Sequence, residues 1–590
     1  MMIQSTLVKA GLRLLPAGTI EFRSPRPNFE LNTLPPERRR RLTHRALPAL
    51  GGLAAVSMVA GAFVGSSTES ASQRVAGDFA AAWQRGDLRA MHGLLSEPSS
   101  ARFPIARFRR AYHRAAATAT MTAVEAGDTE GVADGEVTVP VVVDTRVFGR
   151  LRGELHVPVS GERVDWSPRL VFPELREGER LTRVSAPARR ATLRSRDDKV
   201  LAEGPAGART SPLPGLADTI AGRMGPQQNA EQRRALYARG YPADWPVGQS
   251  GLEEAFEQRL RGRPGGELLA GKRVLARAHP RAAKPVQTTI HTRLQEAAAV
   301  ALAGRLGGVA ALDPRNGEIR ALAGIAFSAP QPPGSTFKLV TTAAALERGV
   351  VNPSTEFPVA THAIIDGVEL ENANGESCGG SFRNSFAHSC NSVFAPLGLK
   401  IGAPKLVEMA ERFGWNSMAT IPGEVASTIP PAAEIQTPLE LASTAIGQFE
   451  TLATPLQMAS VAQAIAMRGV RHPPTLMAGQ RAVGKRVVSR RIGRMIGSLM
   501  VDVVAYGTGT AAAIPGMRVA GKTGTAELED TRDPETGETL PPDPENTDAW
   551  FTSYAPAKRP RIVVAVMLVR AGAGGATAAP AARVVLDAAL

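Results

Sequence analysis

Beyond residue 286 the chain reads as strands at both ends of a long helical stretch, and a sheet assembled in that way leaves few folds open. VQTTIHTRLQEAAAVAL reads as a strand entering a long helix. GGVAALDPRNGEIRALAG reads as two strands joined by an Asp-Pro-Arg-Asn-Gly turn. Helical periodicity predicts about ten helical segments after it. Three strands, MRVAGKTGTAEL, DAWFTSYAP and RIVVAVMLV, and a final helix close the chain. Strands drawn from both ends around a helical middle predict an α/β sandwich with an antiparallel sheet over 286–590. An acidic, Pro-rich segment from Asp530 to Asp548 falls between two closing strands and is expected to be mobile.

With 590 residues, the chain exceeds one core, and its length predicts three or four domains. From about Glu69 a helical pattern runs through Val75, Phe79 and Trp83 and stops at Gly86-Asp87. A second helix, LRAMHGLL, follows, then strand patterns in TATMTAV, GEVTVPVVVDT and GRLRGELHVPVS. Two helices followed by a curved antiparallel sheet predict a small α+β domain over 69–182. It holds no cluster of titratable groups, so packing or spacing is the role expected of it. ERLTRVSAPARRATL reads as a connector, and 192–285 shows short strand and helix signals broken by Gly and Pro.

The run Ala46–Gly65 has no charged residue and is about long enough to span a bilayer. Arg38, Arg39, Arg40, Arg41 and Arg45 stand directly before it, an asymmetry that leaves 1–45 in the cytoplasm and everything after about 66 outside. A retained single-pass anchor over 46–66 is the preferred reading, and a cleaved signal peptide is the alternative. The net charge of +14 comes from 59 Arg and 10 Lys. No Lys/Arg-rich helix, aromatic stacking platform or zinc-ligand spacing accompanies it, which argues against nucleic acid and for a basic protein near an anionic membrane and wall. Cys378 and Cys390 are the only cysteines. Outside the cytoplasm they are expected to pair, with two separate thiols as the alternative.

The chemistry concentrates in three places. Pro333-Gly334-Ser335-Thr336-Phe337-Lys338 reads as a helix start, with helix continuing to Gly349. Ser335 then lies in the first turn, where free N–H groups favour a developing oxyanion, and Lys338 lies on the same face as a base. A lysine can serve as that base when burial or a nearby cation lowers its pKa. Ser389-Cys390-Asn391, expected in a helical context, offers a hydroxyl and a carboxamide. Lys522-Thr523-Gly524-Thr525 sits in a strand, where Lys522 supplies a cation, Thr523 and Thr525 supply hydroxyls, and Gly524 admits a close backbone approach. Each motif alone is weak; their order and setting together are specific.

Ser335-x-x-Lys338, Ser389-x-Asn391 and Lys522-Thr523-Gly524 resemble the three motifs of penicillin-binding proteins and serine β-lactamases. SGLEEAFEQRLRGRPGG, AIGQFETLATPLQMA and VAYGTGTAAAIPGMRVAGKTGTAE also resemble stretches of the transpeptidase class. His291 stands where that class usually has Asp, and Phe449 where many members have Gly. Residues 69–182 resemble the nuclear-transport-factor-2-like domain of some monofunctional (class B) members, and 192–285 their pedestal or dimerisation region. No segment resembles a glycosyltransferase, nor the deacylating Glu loop of class A β-lactamases.

The resemblance implies a serine β-lactamase-like α/β sandwich and a D,D-transpeptidase that needs no metal or cofactor. Its substrates would be peptidoglycan stem peptides ending in D-Ala-D-Ala, with β-lactam antibiotics acylating Ser335 and a cell-wall synthesis complex as the setting. It further implies Lys338 as base, Ser389 and Asn391 as proton relay and peptide clamp, and Lys522, Thr523 and Thr525 as carboxylate binders. N–H groups of Ser335 and Thr525 would form the oxyanion hole. A D,D-carboxypeptidase with the same motifs, and a non-catalytic β-lactam-binding scaffold or sensor, are the rival readings.

Overall fold

The structure, a computed structural model, describes residues 70–213, 215, 220–480, 482–529 and 543–590. The expected tail over 1–45, the expected anchor over 46–66 and, of the acidic segment Asp530–Asp548, residues 530–542 lie outside the described residues. Among the described residues no helix is long and apolar enough to cross a membrane. The chain divides into two units at Arg74/Val75; of the first, only Ser70–Arg74 is described.

The first two expected helices are present as Ala71–Gln84 and Leu88–Gly93, with Phe79 and Trp83 buried and Asp87 capping the second through its carboxylate. Two more follow that the sequence reading lacked, Glu97–Arg102 and Ile105–Ala119. The longer one buries Phe108, Tyr112, Ala115 and Ala119, a helical stripe hidden among Arg107, Arg109, Arg110 and Arg114. Its Phe108 ring lies 5.0 Å from that of Trp166, which donates to the Tyr112 hydroxyl at 3.2 Å. These helices cover an antiparallel sheet ordered Met121–Ala126, Glu136–Thr145, Gly149–Ser160, Arg163–Val164, with Val132–Ala133 paired to the second strand. Burial alternates strictly along Glu136–Thr145, and Val137, Val139, Val141 and Val143 form the inner face.

The expected connector is in fact partly a strand. Leu181–Ala186 pairs antiparallel with Gly265–Ala270, which pairs with Arg273–Ala278. The polarity pattern is inverted here: Val184 is 58% exposed, while Arg183 turns inward. Its guanidinium lies 4.1 Å from the centre of the Tyr237 ring and donates to the carbonyls of Ala117, Thr118 and Tyr237. A polar residue on the inner face conceals a strand from any reading of hydrophobic alternation. Leu268 and Ala270 extend the core of the first domain, so the three-stranded sheet ties that domain to the region after it.

From residue 307 the expected sandwich appears. Its sheet runs Ile319–Gly324, Gly307–Leu312, Ile562–Leu568, Thr547–Ala555, Ala520–Glu527, with every pair antiparallel. Val564, Val566 and Leu568 face the helices Thr292–Leu302 and Ala578–Ala589, while Val563, Ala565 and Met567 face the helical middle. Both faces of the sheet are therefore apolar and covered, which explains the uninterrupted apolar run of this central strand. The middle is not helical throughout: Glu356–Ala360 pairs with Cys378–Ser381, and His362–Ile365 with Val368–Glu371. Cys378 and Cys390 are joined by a disulfide with their Cα atoms 5.4 Å apart.

Candidate active site

The nucleophile candidate sits on a turn rather than in one continuous helix. Gly334–Phe337 is a 3₁₀ turn, and the α-helix begins at Lys338 and runs to Glu347. Gly334 has φ +49°, and a Cβ there would lie 2.5 Å from the carbonyl oxygen of Thr525. The turn is held from the other side as the Gly334 N–H donates to Gly447 O at 2.9 Å. A Cβ on Gly524 would meet Pro333 O at 2.8 Å and Thr336 N at 3.0 Å. The close approach expected at Gly524 is thus to the turn that carries Ser335, which is left half-buried.

Ser389-Cys390-Asn391 lies at a break between helices, not within one. Phe382–Ala387 ends, Ser389 takes φ +61°, and Asn391–Ile401 begins after Cys390 as its N-cap. A left-handed serine is a strained position that neighbouring contacts must hold. Here the Ser389 N–H donates to Phe386 O, and the Asn391 carboxamide donates to Glu371 O at 2.7 Å.

Two buried amines meet at this break. Lys338 Nζ lies 2.7 Å from Ser389 O, 2.6 Å from Asn391 Oδ1 and 3.3 Å from Ser389 Oγ. Lys522 Nζ lies 2.8 Å from the same Ser389 Oγ and 3.0 Å from Thr523 O. Both side chains are fully buried, and the rings of Phe394 and Phe386 lie 5.2 and 5.8 Å from the respective amines. Burial pushes Lys522 down to about 7. Burial, reinforced by the charge of Lys522, holds Lys338 well below the ordinary lysine range. A neutral Lys338 amine has two N–H donors for the two carbonyl-type acceptors, Ser389 O and Asn391 Oδ1. Its lone pair then remains for a hydroxyl.

Thr523 is buried and Thr525 half-buried on the lysine strand. The Gly574 N–H donates to Thr525 Oγ1 at 3.3 Å, and Thr523 Oγ1 lies 2.5 Å from Thr508 Oγ1. Thr508 is a site residue that motif reading did not single out. Its signal was available, a hydroxyl between Gly507 and Gly509 shortly before the lysine strand. The drying rings of Phe386 and Phe394 were likewise indistinguishable from ordinary core positions. At the expected Asp position, His291 makes no cap hydrogen bond; Asp197 instead accepts from the N–H and hydroxyl of Thr292 at 3.1 and 2.6 Å. Among the described residues no cluster of His, Cys, Asp and Glu could hold a metal ion.

Residues 307–587 match the family described as penicillin binding protein transpeptidase domain, and 204–274 the penicillin-binding protein dimerisation domain. The chain is similar to peptidoglycan D,D-transpeptidase PbpA of Mycolicibacterium smegmatis, 32% identical over 424 residues, spanning 60% of this chain and 81% of that one. A relative of the same name from Mycobacterium tuberculosis is 38% identical over 300 residues, 45% of this chain and 56% of its own. Among solved structures, the penicillin G acyl-enzyme complex of penicillin-binding protein A from M. tuberculosis aligns with TM-score 0.53 and 26% identity. It covers 68% of this chain and 99% of that chain. The D,D-transpeptidase domain of a peptidoglycan glycosyltransferase from Eggerthella lenta aligns with TM-score 0.54 and 29% identity, covering 69% and 99%.

Proposed function

Because this chain belongs to the monofunctional (class B) penicillin-binding transpeptidases, we propose that it cross-links peptidoglycan stem peptides through an acyl-enzyme on Ser335. The observation that carries the reading is the shared hydrogen-bond set of Lys338, Lys522, Ser389 and Asn391 beside the turn of Ser335. The neutral Lys338 amine takes the Ser335 proton as Oγ attacks the carbonyl between the two D-alanines. Main-chain N–H groups of Ser335, at the start of its turn, and of Thr525, on the sheet's edge strand, hold the oxyanion. Lys338 and Ser389 return the proton to the departing D-alanine, Asn391 orients the peptide, and Lys522, Thr523 and Thr525 bind the terminal carboxylate. An amine of a second stem then displaces Ser335 and forms the cross-link. Penicillin presents a similar end and leaves a long-lived ester on Ser335.

The domain reading joins this one: 286–590 carries the chemistry, while the α+β domain over 69–182, of nuclear-transport-factor-2-like type, and the pedestal over 192–285 space it from the membrane. A single-pass anchor over 46–66, preceded by five arginines, places the catalytic domain outside the cell within a cell-wall synthesis complex. Fluorescent penicillin with the wild-type protein and Ser335→Ala tests the site. One adduct localised to the Ser335 peptide, lost in the variant, is expected; an adduct that survives the substitution overturns the assignment. Incubation with a D-Ala-D-Ala donor, with and without an amine acceptor, then separates transfer from hydrolysis.

A further inference from the structure

The turn Tyr506–Gly509 joins the two halves of the site. Thr508 donates its N–H to Ala387 O at 3.1 Å while its hydroxyl meets that of Thr523 at 2.5 Å. Gly507 fits so closely that a Cβ there would lie 2.2 Å from Ala387 O. From behind, Asp502 accepts at its main-chain carbonyl from the Tyr506 N–H and forms an ion pair with Arg383. The loop carrying Ser389 and the strand carrying Lys522 are thus clamped at their shared lip.

On the outer side of that clamp stands an aromatic pair. Tyr506 is 48% exposed, and its ring centre lies 6.2 Å from that of His388, the residue immediately before Ser389. An aromatic side chain left this open, on a turn held tightly by main-chain contacts, adds little to folding. Two residues on, Thr508 meets Thr523, so Tyr506 stands near the end of the site to which the proposed mechanism assigns the terminal carboxylate. Once the terminal D-alanine leaves, the attacking amine must come in through the same end.

We propose that Tyr506 and His388 form the acceptor subsite, an aromatic lip that receives the amine-bearing side chain of the second stem peptide. The proposal rests on the transpeptidase reading and adds the place where the second substrate docks. Free amines arrive mainly as ammonium ions, and an aromatic face attracts such a cation while the methylene stem packs on the ring. After the ammonium releases one proton to solvent water, the nitrogen attacks the ester carbonyl of acyl-Ser335. The C–N bond forms, the C–Oγ bond breaks, and the second nitrogen-bound proton passes through Lys338 to Ser335 Oγ. Tyr506 and His388 act as positioning residues and take no proton in this scheme.

The experiment uses the full chain, a D-Ala-D-Ala pentapeptide donor and an amine-bearing tetrapeptide stem as acceptor. It measures the ratio of amide product to hydrolysed donor against acceptor concentration, beside the rate of penicillin acylation. Tyr506→Ala is expected to lower the ratio about fivefold, a coupling of about 1 kcal/mol, while acylation moves much less. Tyr506→Phe should keep most of the ratio, and His388→Ala should lower it in the same sense. An unchanged ratio in Tyr506→Ala, or a fall matched by an equal fall in acylation, overturns the lip and leaves the transpeptidase reading in place. A wild-type protein that is acylated by penicillin but forms no amide product overturns both.

Discussion

At Gly524 the chemistry of one missing methyl group is most exposed. A Cβ there would press against Pro333 O and Thr336 N, both main-chain atoms that cannot swing aside. Gly524→Ala is therefore expected to displace the Ser335 turn and slow penicillin acylation by about 10²-fold or more, which stopped-flow or gel-based acylation would register. A second expectation concerns protons. The proposed mechanism requires Lys338 neutral for acylation and Lys522 charged for carboxylate capture, so acylation by carboxylate-bearing ligands should fall toward acid and also fall as pH rises through about 7. A pH profile without that alkaline limb, or the same limb for a ligand lacking the carboxylate, contradicts the assignment. For stability the sign is that of any group whose folded pKa is depressed, a paired carboxylate included. Lys522 binds its proton more weakly folded than unfolded, so its contribution improves as pH rises from about 7 toward the ordinary lysine range. At this scale the motif residues were legible because lysines are rare in an arginine-rich chain. The left-handed Ser389 was not legible, because nothing local distinguishes a serine between two helices from a serine within one.

Among elements, the disulfide fastens the strand Cys378–Ser381 to the first turn of the helix that carries Asn391. Closing a loop of this sequence separation, 12 residues, stabilises by about 3 kcal/mol in a chain-entropy account. Reduction, or the pair Cys378→Ser and Cys390→Ser, is thus expected to lower the melting temperature by several degrees and slow acylation. Thermal unfolding with and without reductant checks it, and superimposable curves with equal acylation rates would refute it. The closing strands and the hairpin of the sheet were readable from their apolar runs. The helix Ile105–Ala119 and the strand Leu181–Ala186 were not, for a common reason. Arginines crowd the stripe of the first and occupy the inner face of the second, where Arg183 stacks on Tyr237. Short strands inside the helical middle escaped too, since two- to five-residue pairings carry almost no period.

Across the molecule, a buried charge cluster organises the region before the catalytic domain. Glu253 accepts from Arg190 and Arg209 at 2.7 Å each, and Arg190 also reaches Glu257 at 2.8 Å. Arg190 and Glu253 are both only 1% exposed at the side chain. Glu253→Ala would remove the carboxylate shared by two buried guanidinium groups, leaving Arg190 only Glu257 as a charged partner and Arg209 only main-chain carbonyls, and is expected to cost about 3 kcal/mol, read as a lower melting temperature and faster proteolysis within 190–260. Glu253→Gln, which keeps acceptors, should lose less; equal losses would argue against charge as the cause. The sequence displayed this segment as a recognisable stretch without revealing that its glutamate is a hub, because burial of a charge leaves no periodic trace. The order of strands in the catalytic sheet carries a last consequence. Its central strand, Ile562–Leu568, joins the hairpin made some 250 residues earlier to Thr547–Ala555, which in turn pairs with the edge strand bearing Lys522. A ribosome-held or half-threaded intermediate lacking the final stretch has its serine but no completed sheet beneath it. The groove that holds Ser335 is therefore expected to form late, once the strand Ile562–Leu568 has taken its place in the sheet.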